Sequence, residues 1–388
     1  MRLESSTGLD VSIFEAVLAC GQVEARISLV RQLAGLLADE NAAANEKEQI
    51  IPILVKATAD GDIAVRKTLA DVLATVDNLH ADLLFAVVAD EDEIAVPFLS
   101  ALRSLSGWHM LTILRVGDEA RQSAIAGRPD LSAETRAYIV KSGSIAAVLA
   151  FLANPTVQPS AADLRAIYAR LGQAEQVVEC LLALAHLPPD IRLRQAKKTA
   201  IRMRQMMAER GWLGANDAAD IVSDAEEVAV LQVVSEANAQ EQLEAVSYLA
   251  QNNMLTPSLV MRASCLGDIK ALAGLLSHLT GQTAPRIIDF ILGRGGSGIR
   301  SLLGRSGLPG ACHGLIIAAA DAACEFRSLE IAPDAETFGR RLLEILMMQA
   351  GAMPLQQQAR QIEFVGRFAE AKVRKIARQI KVDMLRAA

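Results

Sequence analysis

Aromatic residues make up only 4% of this 388-residue chain, with two tryptophans and three tyrosines. That scarcity removes the stacking platforms on which proteins recognise unpaired RNA or DNA bases. Strand patterning is missing as well, because valine and isoleucine fall at helical spacing and no alternating run is bounded by hairpin turns. No apolar run approaches the roughly 20 residues of a membrane span. The longest, Val177 to Leu187 and Gly314 to Ala320, read as buried helix. The first ten residues lack the apolar segment of a secretory signal. Five cysteines (Cys20, Cys180, Cys265, Cys312 and Cys324) are scattered without a CxxC pair, which suits a reduced, cytoplasmic setting. A net charge of −6 offers nucleic acid no general attraction.

What is present is 52% hydrophobic content carried mostly by alanine and leucine, the composition of helices packed through small side chains. From Asn45 to Leu105 two helical hairpins follow each other with the same punctuation. Ala59-Asp60-Gly61-Asp62 breaks the first before Ile63, and Ala89-Asp90-Glu91-Asp92 breaks the second before Ile94, 31 residues later. A helix pair of that length cannot bury its apolar face alone, so neighbours must stack. Asp62 is placed to cap the second helix, its carboxylate accepting from free N–H groups at the positive end of the dipole. Ser132, Thr256 before Pro257, Thr283, and Pro333 with Asp334 mark later helix starts.

Asp62, Val65 and Arg66 resemble the Asp-x-x-Val-Arg pattern that opens second helices in the HEAT family. The second copy keeps Asp92 and Val96 but has Pro97 where arginine would stand, so an inter-repeat charge ladder is not expected there. The ordered phrases ADGDIAVR, ADEDEIAV, GRPDLS and LANP, with LTPSLVMRASCLGDI and a stretch ending RSGLPG further on, resemble a bacterial HEAT-like family catalogued as of unknown function. The resemblance spans most of residues 20 to 325. It implies a fold and carries over no catalytic residue.

The expected architecture is all-α: a HEAT-like α-solenoid of short antiparallel helix pairs over 1–160, a second helical domain over 161–330, and C-terminal helices over 331–388. Asp190 to Arg210 is strongly basic, and Ala215 to Glu244 holds eight acidic residues and no basic one. Two solvated faces that pair with each other across a hinge account for this reversal. The segment from Arg360 to Ala388 has a net charge of +5, leaving the rest at −11. Its stripe of Ala369, Val373, Ile376, Ile380 and Met384 opposes Arg367, Arg374, Arg378 and Lys381. Such a helix docks on its own chain, binds a partner, lies on an anionic membrane, or caps the array.

Four features invite chemistry. The run Gly293 to Arg300 is glycine-rich and opens a helix, so its N–H groups with Arg294 and Arg300 suit a phosphate, although it fits neither a Walker A nor a dinucleotide fingerprint. A plain interhelical turn is the simpler account and is preferred. Cys312 and His313 point about 100° apart on a helix and read as structural. His80, His109, His186 and His278 are isolated. The run Asp90 to Glu93 is explained by capping. No catalytic residue, metal or cofactor is expected. The leading reading is a non-catalytic scaffold or adaptor that binds another protein, with Arg66 and Arg121 at the starts of second helices and the tail cations as contact residues, although Arg66 equally suits an internal ladder between repeats. The alternatives are a DNA-binding HEAT-like protein, which would draw on Arg66, Lys67, Arg103 and Arg121, and a signalling adaptor for a small phosphate or nucleotide at Arg294 to Arg300.

Overall fold

A computed structural model describes residues 11–39, 42–210, 215–348 and 355–387. Among these residues every regular element is a helix. Asp10, which the sequence suits to cap a first helix running to about Cys20, lies outside them. The chain divides into two compact units, one running to Leu187 and one from Pro188.

The first unit is a series of six helix pairs: α1 (Val11–Cys20) with α2 (Val23–Ala38), α3 (Ala44–Ala57) with α4 (Ile63–Leu73), α5 (Ala81–Val88) with α6 (Asp92–Ala101), α7 (Gly107–Val116) with α8 (Glu119–Ala126), α9 (Ala133–Ser142) with α10 (Ile145–Ala153), and α11 (Ala161–Leu171) with α12 (Glu175–Leu182). The second helix of each pair packs on the second helix of the next, from α2 through to α12. Among first helices, α1 packs on α3, α3 on α5, α7 on α9 and α9 on α11. α11 and α12 therefore belong with the preceding pairs, and the unit runs past residue 160, where the sequence divided it.

Local chemistry starts these helices, at the expected Asp62 and Ser132 and also at Asp118 and Ser144. The Asp62 carboxylate accepts from Ala64 N at 2.9 Å, Asp118 from Arg121 N at 3.0 Å, Ser132 from Thr135 N at 3.1 Å and Ser144 from Ala147 N at 3.2 Å. Each such cap contributes about 1 kcal/mol. Ser160 and Asp163 form a reciprocal capping box that the sequence reading passed over. Apolar positions three and four apart, such as Val65, Leu69 and Leu73, are fully buried between layers.

The second unit opens with a hairpin of two long helices, α13 (Pro189–Arg210) and α14 (Ala215–Glu236), followed by α15 (Ala239–Gln251), α16 (Pro257–Leu266), α17 (Ile269–Thr280), α18 (Ala284–Leu303), α19 (Gly310–Ser328), α20 (Ala335–Met348), α21 (Leu355–Phe368) and α22 (Ala371–Ala387). The basic and acidic stretches are α13 and α14, and they do pair: Arg204 meets Glu226 at 2.5 Å and Arg192 meets Glu236 at 3.6 Å. Both helices lie inside the second unit, so the charge reversal marks a hairpin within it. α16 is central, packed on α14, α17, α19, α20 and α21, and is buried from Leu259 to Cys265 on all sides. α19 buries a run of small residues, Ala318, Ala319, Ala320, Ala322 and Ala323, which lets α18 approach it closely.

The C-terminal hairpin is part of this core. Val373 and Ala377 are completely buried, Ala369 nearly so, and Ile376, Ile380 and Met384 pack against the same cluster. The apolar stripe of the tail is thus covered by its own unit and is not presented to a membrane. No helix among the described residues is long and apolar enough to cross one.

Candidate functional site

Each residue singled out in the sequence has a definite place. Arg66 is only 13% exposed at its side chain, with Nε 3.0 Å from Asp90, one Nη 3.1 Å from Glu91 and the other donating to Asp60 O at 2.8 Å. The hydrogen bond from Asp90 raises the Arg66 pKa above its ordinary value against the opposing effect of burial. Arg121 is 12% exposed and reaches back to the same turn, donating to Val88 O at 2.7 Å, to Asp90 O, and to Asp92 at 2.7 Å. Arg26 meets Asp60 at 3.1 Å, one turn earlier. Arg170 donates to Gly143 O, Ile139 O and Val140 O.

These arginines tie successive hairpins together. A ladder does continue past Pro97, because Arg121 supplies from the following pair the charge that Pro97 cannot. Arg66 and Arg121 are consequently not open contact residues. Lys67 faces Glu93 at 3.7 Å and Arg103 faces Asp77 at 3.3 Å, so each of the four cations a nucleic-acid reading relies on has its own carboxylate.

The glycine-rich run also reads differently in three dimensions. The helix continues through it with one break at Gly295, whose φ of 54° and ψ of −142° only glycine adopts readily. Gly296 N donates to the Asp321 carboxylate at 2.7 Å, and a Cβ on Gly295 would stand 2.6 Å from the same oxygen. The Gly296 N–H that a phosphate could use is thus already taken by a carboxylate from α19. Arg294 lines a groove of about 600 Å³ with Asp321, Arg341 and Met348, and Arg300 is not among its lining residues. The structure therefore does not bring Arg294 and Arg300 together. Cys312 is buried and His313 bonds Leu308 O at 3.0 Å, as structural residues would.

Three of the four tail cations do converge. Arg367 from α21 with Arg378 and Lys381 from α22 line a groove of about 460 Å³ whose other charged walls are Asp220 and Asp224 from α14 and Glu363. Lys381 is held by Glu363 at 2.9 Å. Arg378 Nε donates to Gly366 O at 3.0 Å, and Arg367 lies over the Phe368 ring, 5.3 Å from its centroid. Arg374, the fourth, turns to Asp224 at 3.7 Å outside this lining. Arg262, 4% exposed at its side chain, shares Asp224 with it, pairs with Glu227 at 2.8 Å, and lies over the Phe368 ring, 5.2 Å from its centroid. Sequence reasoning missed Arg262. Its only signal was a lone arginine inside the apolar phrase LVMRASCL, and a cation there requires carboxylates from elsewhere.

One further surface was not anticipated. Trp108 on α7 is 66% exposed, with Phe85 of α5 and His109 packed edge-on at centroid distances of 6.3 and 5.2 Å. Burial against these rings lowers the pKa of His109. Among the described residues no group of three His, Cys, Asp or Glu side chains is placed to hold a metal ion.

No curated protein and no solved structure matches the chain. The profile of a bacterial family, described as an uncharacterised protein conserved in bacteria (DUF2336), matches residues 94–354. That span contains the α14 wall of the groove and ends before Glu363, Arg367, Arg378 and Lys381. With about two thirds of its length matched, the chain belongs to this family.

Proposed function

We propose that the chain is a non-catalytic interaction scaffold, in which α1 to α12 form a HEAT-like solenoid that holds another protein on the surface of its first helices. The observation that carries this reading is Trp108. An indole two-thirds open to solvent, fixed between Phe85 and His109, has already given up the rotamer freedom that binding would cost it. Rigid exposed aromatics of this kind dominate protein interfaces. The ladder arginines support the same reading from the other side, since they stiffen the array and leave recognition to different residues.

The test is affinity capture from source-cell lysate by the wild-type chain and by Trp108→Ala, washed at moderate salt. A discrete protein retained by the wild type and lost by Trp108→Ala, then reproduced with the purified partner, is the expected result. A partner held equally by both forms would move the binding surface elsewhere. Retention of duplex DNA in place of protein, falling steeply with salt, would replace the reading altogether.

A further inference from the structure

We propose that the groove between α14, α21 and α22 binds a small phosphorylated ligand that also carries an amine. The proposal concerns the second unit and is independent of the Trp108 surface. Its basis is a mismatch of charge within a formed cavity. Among the described residues neither Arg367 nor Arg378 is paired with a carboxylate, although both line the groove. Each is nevertheless held in place. Arg367 lies over the Phe368 ring, and Arg378 is fixed through Nε to Gly366 O, which leaves its two terminal nitrogens for a ligand.

Gly366 makes that arrangement possible. A Cβ there would come within 3.3 Å of Arg378 Cγ, so glycine lets the arginine stem cross α21. Glycine costs about 1 kcal/mol inside a helix, which the packing of Arg378 explains. Two guanidinium forks match the tetrahedral oxygens of a phosphate monoester and its charge of about −1.5 to −2. Lys381, already neutralised by Glu363, adds a third donor. From α14, Asp220 also has no cationic partner among the described residues. A bare polyanion meets repulsion there, whereas an ammonium group is welcomed. The volume of about 460 Å³ lies in the range of small-molecule sites.

The experiment is calorimetric titration of the full chain with O-phosphoethanolamine, inorganic phosphate and ethanolamine at matched ionic strength. O-phosphoethanolamine should bind saturably, phosphate more weakly, and ethanolamine not at all. Arg367→Gln and Arg378→Gln should each weaken O-phosphoethanolamine binding by roughly tenfold or more with unchanged helicity. Gly366→Ala should do so in smaller measure by displacing Arg378. Asp220→Asn should reduce O-phosphoethanolamine to the level of phosphate and spare phosphate itself. No saturable heat from either phosphate-bearing probe at millimolar concentration, or undiminished binding by the double variant Arg367→Gln with Arg378→Gln, would overturn the proposal. Equal affinities for the two probes in both wild type and Asp220→Asn would overturn the role of the amine.

Discussion

Alanine placed at two glycines of α18, and at Asp321 of α19, separates a sealed joint from an open loop. At Gly295 a side chain meets two obstacles, a backbone conformation with φ of 54° and the Asp321 carboxylate 2.6 Å from the new Cβ. The first costs on the order of 1–3 kcal/mol and the second, as local overpacking, a similar amount, so Gly295→Ala should lose about 4 kcal/mol. Removing the acceptor instead, Asp321→Ala strands Gly296 N and should cost about 2 kcal/mol, the scale of a charge-assisted hydrogen bond in a partly buried site. Gly293 has nothing within 4 Å of its would-be Cβ and is exposed. Gly293→Ala should therefore stabilise, by about 0.5–1 kcal/mol, through helix propensity alone. Urea unfolding followed by circular dichroism reads all three on the transition of the second unit. If Gly295→Ala falls within about 0.5 kcal/mol of Gly293→Ala, the run is an ordinary turn and the joint with Asp321 does not exist.

Two other outcomes follow from groups already described. Arg262→Ala should destabilise the second unit by about 3 kcal/mol, near the lower end for breaking a buried pair, because Asp224 keeps Arg374 at 3.7 Å. Denaturant unfolding of Arg262→Ala, Glu227→Gln and the double variant checks this, and strict additivity would show that the 2.8 Å pair carries no coupling. His109 sets a pH dependence in the first unit. Its folded pKa is lowered by burial, so the unfolded chain binds the extra proton first. Stability is complete above the ordinary histidine value of about 6.5 and declines as pH falls through it, and His109→Gln should flatten that decline in thermal melts between pH 5 and 8.

The parts of this structure that were legible in the sequence are those decided within a few residues. Asp62, Ser132 and Thr256 announce helix starts because their side chains reach N–H groups two or three positions on. The absence of alternation was enough for the helical class. What was not legible depends on partners far along the chain. A glycine run looks the same whether it forms a loop or admits a carboxylate, and Asp321 lies 25 residues from the N–H it accepts. Arg66 suited a contact residue and a ladder residue equally until Asp90 and Glu91 were brought beside it by the next hairpin. The tail stripe signalled burial without saying against what. Its cations stood out as a group, but only the packing of α21 on α22 shows that three share a groove while Arg374 joins the cluster around Arg262.

The turn at Asp90 to Asp92 receives Arg66 from the hairpin before it and Arg121 from the hairpin after it. Repeats joined this way are not interchangeable bricks. Excising α5 and α6 would remove the acceptors of two guanidiniums at once, and a copied hairpin inserted nearby would compete for them. The number and order of hairpins around this turn are therefore set by chemistry at its joints, and each joint is specific to the two hairpins it connects.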